Sequence, residues 1–452
     1  MGRIVKTAKM TLVAAVVAAG MLAGGTATAF AAIPAPSPTV FAASSDGRGG
    51  DHHGSNNNNG GSTRIHSSGQ QQSPRGNSPR YSNDNTTSTR QDSTSHASAT
   101  IDPASGTGNH VRSSAHNNSN ATSSVTGAGS SRNEVSSNAN NSGIATSTAS
   151  GRNNNVHSNA NNSATALSVA TGNNNNVQIN ANNSGIAAAG VTGNNNNASS
   201  TANNSGRATS GVFGSGGNNN TTNATANGAG SQAASGVITA GNSNTTNATA
   251  NGTNTTASSL VDSGNSNKLS SSATGTGSTA ASIVFGATGN NNKLGSQATD
   301  GATAVSAVNS GNNNQATSIA KGAGSAAVAL VNAPTTGTSD NNVLNAIGTN
   351  GGQAGASVIG DNNKATSVAE GTNSTALANA ENGSTATAAA RNGGQATAIA
   401  TLPGSRATAI AIGNGSSAVA SQTAPGQGTA TATCGTGGVA FAATSGGAVD
   451  AC

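Results

Sequence analysis

The chain has 452 residues, yet aromatic side chains make up 1% of it and charged ones 7%, while glycine fills 62 positions and tryptophan none. Leu, Ile, Val and Phe together fall below the roughly 20% at which a conventional core becomes implausible, which excludes an ordinary α/β enzyme or helical bundle. The formal charge of +5 includes Arg3, Lys6 and Lys9; without them 15 basic residues face 13 acidic ones, and from Asn153 onward the balance is 7 against 7.

A nucleic-acid partner would need basic residues clustered on one face with aromatics to stack on bases. The basic residues here are scattered and Tyr81 is the sole tyrosine, so no nucleic-acid partner is expected.

In chain order, residues 1–10 are short and basic, and residues 11–25 (TLVAAVVAAGMLAGG) form an apolar run followed by small residues. That order predicts a cleavable secretory signal over residues 1–31. A membrane-spanning helix needs about 20 apolar residues, so no transmembrane segment is expected. The mature chain is expected to be secreted, extracellular or held at a cell surface. Residues 32–43 are Pro/Ala-rich, and six of the seven histidines fall in the Ser/Asn/Gly-rich stretch before residue 131. Residues 32–130 show no defensible period and are expected to be disordered, because too little apolar surface is available to offset ordering of the backbone.

From about Ser131 the chain repeats. Asn-Asn-Ser begins at Asn140, Asn161, Asn182 and Asn203, evenly spaced along the chain. Further on, glycines pair at one fixed separation, as Gly217/Gly228, Gly311/Gly322 and Gly360/Gly371. The first glycine of each pair opens G-x-x-N, ending at Asn220, Asn314 and Asn363. The second opens G-x-x-[ST], ending at Ser231, Ser325 and Ser374. These twelve residues are the candidate repeat turns, since Gly and Asn tolerate positive φ.

The glycine separation is half the Asn-Asn-Ser period, and a half-repeat of about 10–11 residues fits one turn and one short strand. Residues 316–320 (ATSIA), 365–369 (ATSVA), 396–400 (ATAIA) and 407–411 (ATAIA) alternate with period two, putting Ala396, Ala398 and Ala400 on one face and Thr397 and Ile399 on the other. Helix is the competitor, because alanine is the best helix former. However, Gly and Asn interrupt every half-repeat before the roughly 12–15 residues an isolated helix needs. The composition also describes a disordered polar tract; the phase of the glycine pairs decides for an all-β fold. The predicted architecture is a β-solenoid of two-strand coils of about 21–24 residues over residues 131–430, preceded by a disordered N-terminal region.

Cys434 and Cys452, the only cysteines, lie in a segment expected to form a disulfide-closed cap over residues 431–452. The chain between them reads as a glycine-turned hairpin with Val439, Phe441 and Ala443 on one face.

The motif at Gly311, Asn314 and Ala316, and again at Gly360, Asn363 and Ala365, resembles the curlin-type repeat of bacterial amyloid fibre subunits, G-x-x-N-x-A-x-x-x-Q. Ala320 and Ala369 stand where that family has glutamine. Residues 384–420 also look like the head repeats of trimeric adhesins, without a coiled-coil stalk. The resemblance implies a strand–turn–strand unit and self-association.

Chemistry is sparse. Gly275-Thr-Gly277 and Gly322-Ala-Gly324 imitate a dinucleotide fingerprint but open no predicted helix. No histidine follows His157, so a Ser-His-Asp arrangement cannot form within the repeats. No catalytic, cofactor-binding or metal-ligating residues are expected, and the chain is read as no enzyme. The expected function is a secreted structural protein of an extracellular matrix, fibre or surface layer. The alternative is an adhesin or cell-wall-associated protein with a cell-surface or glycan partner. A third class is an ice- or mineral-binding surface built from threonine rows such as Thr397 and Thr408.

Overall fold

The computed structural model describes His66–Ser67, Thr86–Gln91 and, with gaps at many turns, residues 96–443. The expected signal segment and Cys452 lie outside the described residues. Among those described, every regular element is a strand, and the strands form two sheets of 17 and 16 members. From Thr86–Gln91 onward, successive strands alternate between the sheets. Within the first sheet Asn155–Ala160 pairs with Asn176–Ala181 and that strand with Asn197–Ala202, all parallel and in register. Within the second, Thr165–Thr171, Ile186–Thr192 and Arg207–Phe213 stack the same way. The chain is a parallel β-solenoid.

Paired residues lie 21 apart at Asn176↔Asn197, 24 apart at Thr221↔Thr245 and 28 apart at Gln315↔Val343. The extra residues fall between strands, so register survives the change in coil length. That constancy of register follows from the alternation: a one-residue slip would expose every buried side chain.

The solenoid extends beyond the expected boundary at Ser131. Thr86–Gln91, Ala97–Ile101, His110–Ala115 and Ala121–Val125 already pair as coils. The glycines between these strands, Gly106, Gly108, Gly127 and Gly129, do not recur at the half-repeat separation of later coils, but the alternation is present, with Val111 and Ala115 fully buried. At this end the two-residue strand His66–Ser67 lies antiparallel against Thr87 and Ser88.

The far end differs from the hairpin reading. Ala430–Cys434 pairs with Arg406–Ile412 in the first sheet, whereas Val439–Ala443 pairs with Ser417–Gln422 in the second. The two segments are the halves of one more coil. Val439, Phe441 and Ala443 do share a face, the outer one, while Ala440 and Ala442 are buried. Stacking on the preceding coil pairs both strands in register and buries Ala430, Ala432, Ala440 and Ala442, which a lone five-residue hairpin could not do.

The interior between the sheets is thin. One inward position of the second sheet is alanine from Ala97 through Ala208, Ala304 and Ala396 to Ala440, and the next inward position is Ser or Ala, as at Ser147, Ser259, Ser306 and Ala398. The serine hydroxyls cross to the opposite sheet. Ser137 Oγ donates to the Thr146 carbonyl at 2.5 Å, Ser147 Oγ to the His157 carbonyl at 2.6 Å and Ser306 Oγ to the Thr317 carbonyl at 2.7 Å. A hydroxyl one atom beyond Cβ reaches the facing backbone only if the sheets lie well inside the ~10 Å of ordinary sheet packing.

Candidate functional site

The turns that follow the first sheet are built on one rule. In Gly228-Ala229-Gly230-Ser231, Gly275-Thr276-Gly277-Ser278 and Gly322-Ala323-Gly324-Ser325 the amide of the fourth residue donates to the carbonyl of the first, at 3.3–3.4 Å. The third residue has positive φ, 74° at Gly277. Positive φ at the second of the two central residues is the signature of a type II turn. The apparent dinucleotide fingerprint is thus a repeat turn: Gly277 is demanded by backbone conformation, and no helix follows it.

Gly275 carries a second constraint, since a Cβ there would lie 2.0 Å from the Gly252 carbonyl oxygen of the preceding coil. The stacked glycines let successive turns approach closely enough for Gly252 N–H to donate to the Thr274 carbonyl at 2.9 Å.

Of the predicted turn residues, Gly228, Gly322 and Gly371 all have positive φ, from 99° to 114°. Ser231, Ser325 and Ser374 are fully buried, and the first two donate to the carbonyls of Asn227 and Lys321 at 2.7 Å. Gly217, Asn220, Gly311, Asn314, Gly360 and Asn363 lie outside the described residues. Their neighbours Asn219, Asn313 and Asn362, one place before each predicted asparagine, hold φ of 62°, 56° and 57°. Both half-turns therefore place a left-handed residue two positions after glycine. The motif G-x-x-N marked the right turn, but the conformational demand falls on the residue before the final asparagine.

The Asn-Asn-Ser repeats split into two roles. The first asparagine enters a side-chain ladder, in which Asn161 Nδ2 donates to Asn140 Oδ1 at 2.7 Å, Asn182 to Asn161 at 2.6 Å and Asn203 to Asn182 at 2.7 Å. Asn227 and Asn251 continue it at 2.8 and 2.9 Å although their coils have changed turn type. The second asparagine, as at Asn162, Asn183 and Asn204, takes the left-handed turn conformation and forms an exposed ladder of its own, in which Asn183 Nδ2 donates to Asn162 Oδ1 and Asn204 Nδ2 to Asn183 Oδ1. The ladder begins beside His116, whose Nδ1 lies 3.0 Å from Asn140 Nδ2, at a shallow open depression shared with Arg90 and Asn161.

The outer faces of the two sheets differ. On the first, one outward row runs through Thr366, Thr387, Thr408 and Thr431, and another carries Lys268, Lys293, Lys364 and Arg406. Thr397 belongs to the second sheet, between Leu377 and Val419, so it shares no threonine row with Thr408. On the second sheet the two central outward rows carry no charged residue and include Leu260, Ile283, Val305, Val328, Leu377 and Ile399.

Cys434 ends its strand half-buried against the alanine core, in register with Ala411. Ala320 and Ala369, where the curlin-type pattern has glutamine, are buried inward-facing alanines. Among the described residues no three His, Cys, Asp or Glu side chains cluster, and no helix is long and apolar enough to cross a membrane. No family model matches the chain, and no curated protein or solved structure matches it.

Proposed function

We propose that the chain is a secreted, non-enzymatic structural protein that assembles an extracellular matrix, fibre or surface layer by stacking solenoids end to end. The observation that carries this reading is the pair of terminal strands Ala430–Cys434 and Val439–Ala443, each paired to one neighbour among the described residues. An unpaired parallel edge recruits another strand unless it is shielded. The incoming coil would meet the same alternation and the same small inward residues that every coil already meets. The neutral balance of the region beyond Asn153 offers little electrostatic resistance. The resemblance to curlin-type fibre repeats points the same way.

The test is elongation. Gly435 and Val439 donate back to the Ala411 and Ser416 carbonyls, so the alternate amides of Ala432 and Ala440 face the open edge. Ala432→Pro with Ala440→Pro removes one edge donor from each terminal strand and is expected to abolish concentration-dependent growth, followed by light scattering and amyloid-dye binding. A native chain that never elongates, or a variant that elongates as well as native, defeats the proposal.

Export by the signal over residues 1–31 and a Cys434–Cys452 disulfide belong to the same reading. The bond would tie the chain end back to the last coil, beside the growing edge. Mass spectrometry of secreted protein without reductant should find that linkage and an N-terminus near Ala32; free thiols or an intact Met1 would contradict it. The adhesin reading draws on the threonine row from Thr366 to Thr431, a regular surface for a glycan. It predicts binding by a single solenoid that does not elongate.

A further inference from the structure

We infer that the edge of the first coil, Thr86–Gln91 with Ala97–Ile101, is the surface that accepts the last coil of a second copy, and that the two-residue strand His66–Ser67 holds this edge shut until it is displaced. The inference rests on the end-to-end reading and names the surface that reading needs. Growth at Ala430–Cys434 and Val439–Ala443 requires a matching edge at the other end of the next chain.

The first ground is register. One inward column of the first sheet starts at Thr87, passes through Val111, Val135 and Val156, and ends through Ala386 and Ala407 at Ala430. A copy added in the same register sets its Ala430 on Thr87 and its Thr431 on Ser88. In the second sheet the inward columns that start at Ala97 and Ala99 end at Ala440 and Ala442, all four buried. The joint would therefore lay alanine on alanine, as the interior coils do.

The second ground is occupancy. His66 pairs with Ser88 and Ser67 with Thr87, the one antiparallel pairing among the described strands. Those are the two residues that an incoming Ala430 and Thr431 must meet, so guard and second copy compete for one stretch of edge. Very short strands are a common way of blunting a sheet edge against further pairing. A reversed strand also ends the parallel register that every coil shares. At the far end, Ala430–Cys434 and Val439–Ala443 carry no such strand among the described residues. The two ends of the solenoid are thus unlike, one guarded and one open.

The third ground is the weakness of the hold. The guard spans 2 residues, whereas the last coil pairs with the one before it over 5 residues in each sheet, and an added coil would do the same. The guarded strand is also imperfectly satisfied. Thr87 Oγ1 and Gln91 Oε1 are buried without a hydrogen-bond partner, at inward positions where the next coil has Val111 and Ala115. A buried polar atom left unpaired costs free energy, so this end is not a fully satisfied cap. A short pairing over such a strand is one that a longer pairing in two sheets displaces.

The experiment follows elongation of the full chain and two double variants by light scattering. His66→Pro with Ser67→Pro removes both guard amides. It is expected to shorten the lag before growth roughly tenfold, on the order of what losing one or two backbone hydrogen bonds supplies, with unchanged circular dichroism. His66→Cys with Ser88→Cys puts thiols at directly paired positions. Oxidation of the single chain is expected to join them, as read by peptide mass mapping, and to suppress growth; reduction is expected to restore it. The native chain with and without reductant controls for Cys434 and Cys452. Failure of the engineered bond to form, growth of the joined chain at the native rate, or equal lags for the native and proline chains overturns the inference while the end-to-end reading stands. If no chain elongates, the proline variant included, the end-to-end reading falls and this inference falls with it.

Discussion

Residues 134–251 and residues 364–422 build the same coil from different chemistry. In the earlier coils the first sheet buries Val135, Val156 and Val177, the hydroxyls of Ser137 and Ser147 cross the interior, and the asparagine ladder runs along one corner. In the later coils almost every inward position is alanine, including Ala386, Ala388, Ala390, Ala396, Ala398 and Ala400, all fully buried. Each alanine methyl contributes only about 0.8 kcal/mol on burial. Parallel register persists through both regions, so the backbone ladders and the turn positions hold the coil, and side chains are required mainly to be small. The earlier coils gain extra cohesion from repeated side-chain hydrogen bonds, whereas among the described later coils serine crosses the interior at Ser367, whose Oγ donates to the Leu377 carbonyl.

That contrast breaks most readily in the all-alanine region. Ala388→Leu inserts three carbons into a gap already narrow enough for serine to bridge, and should cost more than the ~1–3 kcal/mol of ordinary overpacking. Val156→Leu adds one carbon and should cost visibly less. Denaturation midpoints of the two would decide, and equal shifts would mean that the sheets separate freely.

Gly275→Ala comes next. Left-handed or otherwise disfavoured φ costs about 1–3 kcal/mol for a non-glycine residue, and the methyl would also collide with the Gly252 carbonyl. Gly324→Ala, where φ is 73° but nothing lies within 4 Å of the added atom, isolates the conformational part. A Gly275 variant no worse than the Gly324 variant would show that the turns can move apart.

The smallest effect belongs to the ladder. Asn182→Ala removes two amide hydrogen bonds, and at about 1 kcal/mol each net should lower stability by up to roughly 2 kcal/mol. Thr387→Ala, an outward threonine in the later coils, is expected to be close to neutral by the same measurement. A neutral Asn182 variant would show that the asparagines only fill the corner.

Much of this was legible before any coordinates. The alternation in residues 396–400 and 407–411 places Ala398 and Ala409 inward, and both are fully buried. Of the evenly separated glycine pairs, the second members Gly228, Gly322 and Gly371 hold positive φ, and the first members lie outside the described residues. Less legible was the start of the solenoid, because Gly106, Gly108, Gly127 and Gly129 do not recur at the half-repeat separation while the strands keep their pattern. The division of labour within Asn-Asn-Ser was also hidden, since both are asparagine, both hydrogen-bond to their counterpart one coil away, and only the second takes the left-handed backbone conformation. The last coil was read as a hairpin because local sequence shows two short strands and a glycine turn in either case.

The sequence by itself determined that this chain coils: period-two alternation and recurrent Gly/Asn turns are local properties, readable within a dozen residues. Tertiary structure alone decided what each coil meets. Stacking brings together positions 20 to 28 apart, with length differences absorbed between strands. Hence the closeness of the two sheets, the ladder from Asn140 to Asn251, the placement of Thr397 and Thr408 on opposite sheets and the uncharged outer face of the second sheet are all set by register between coils, which no single repeat contains.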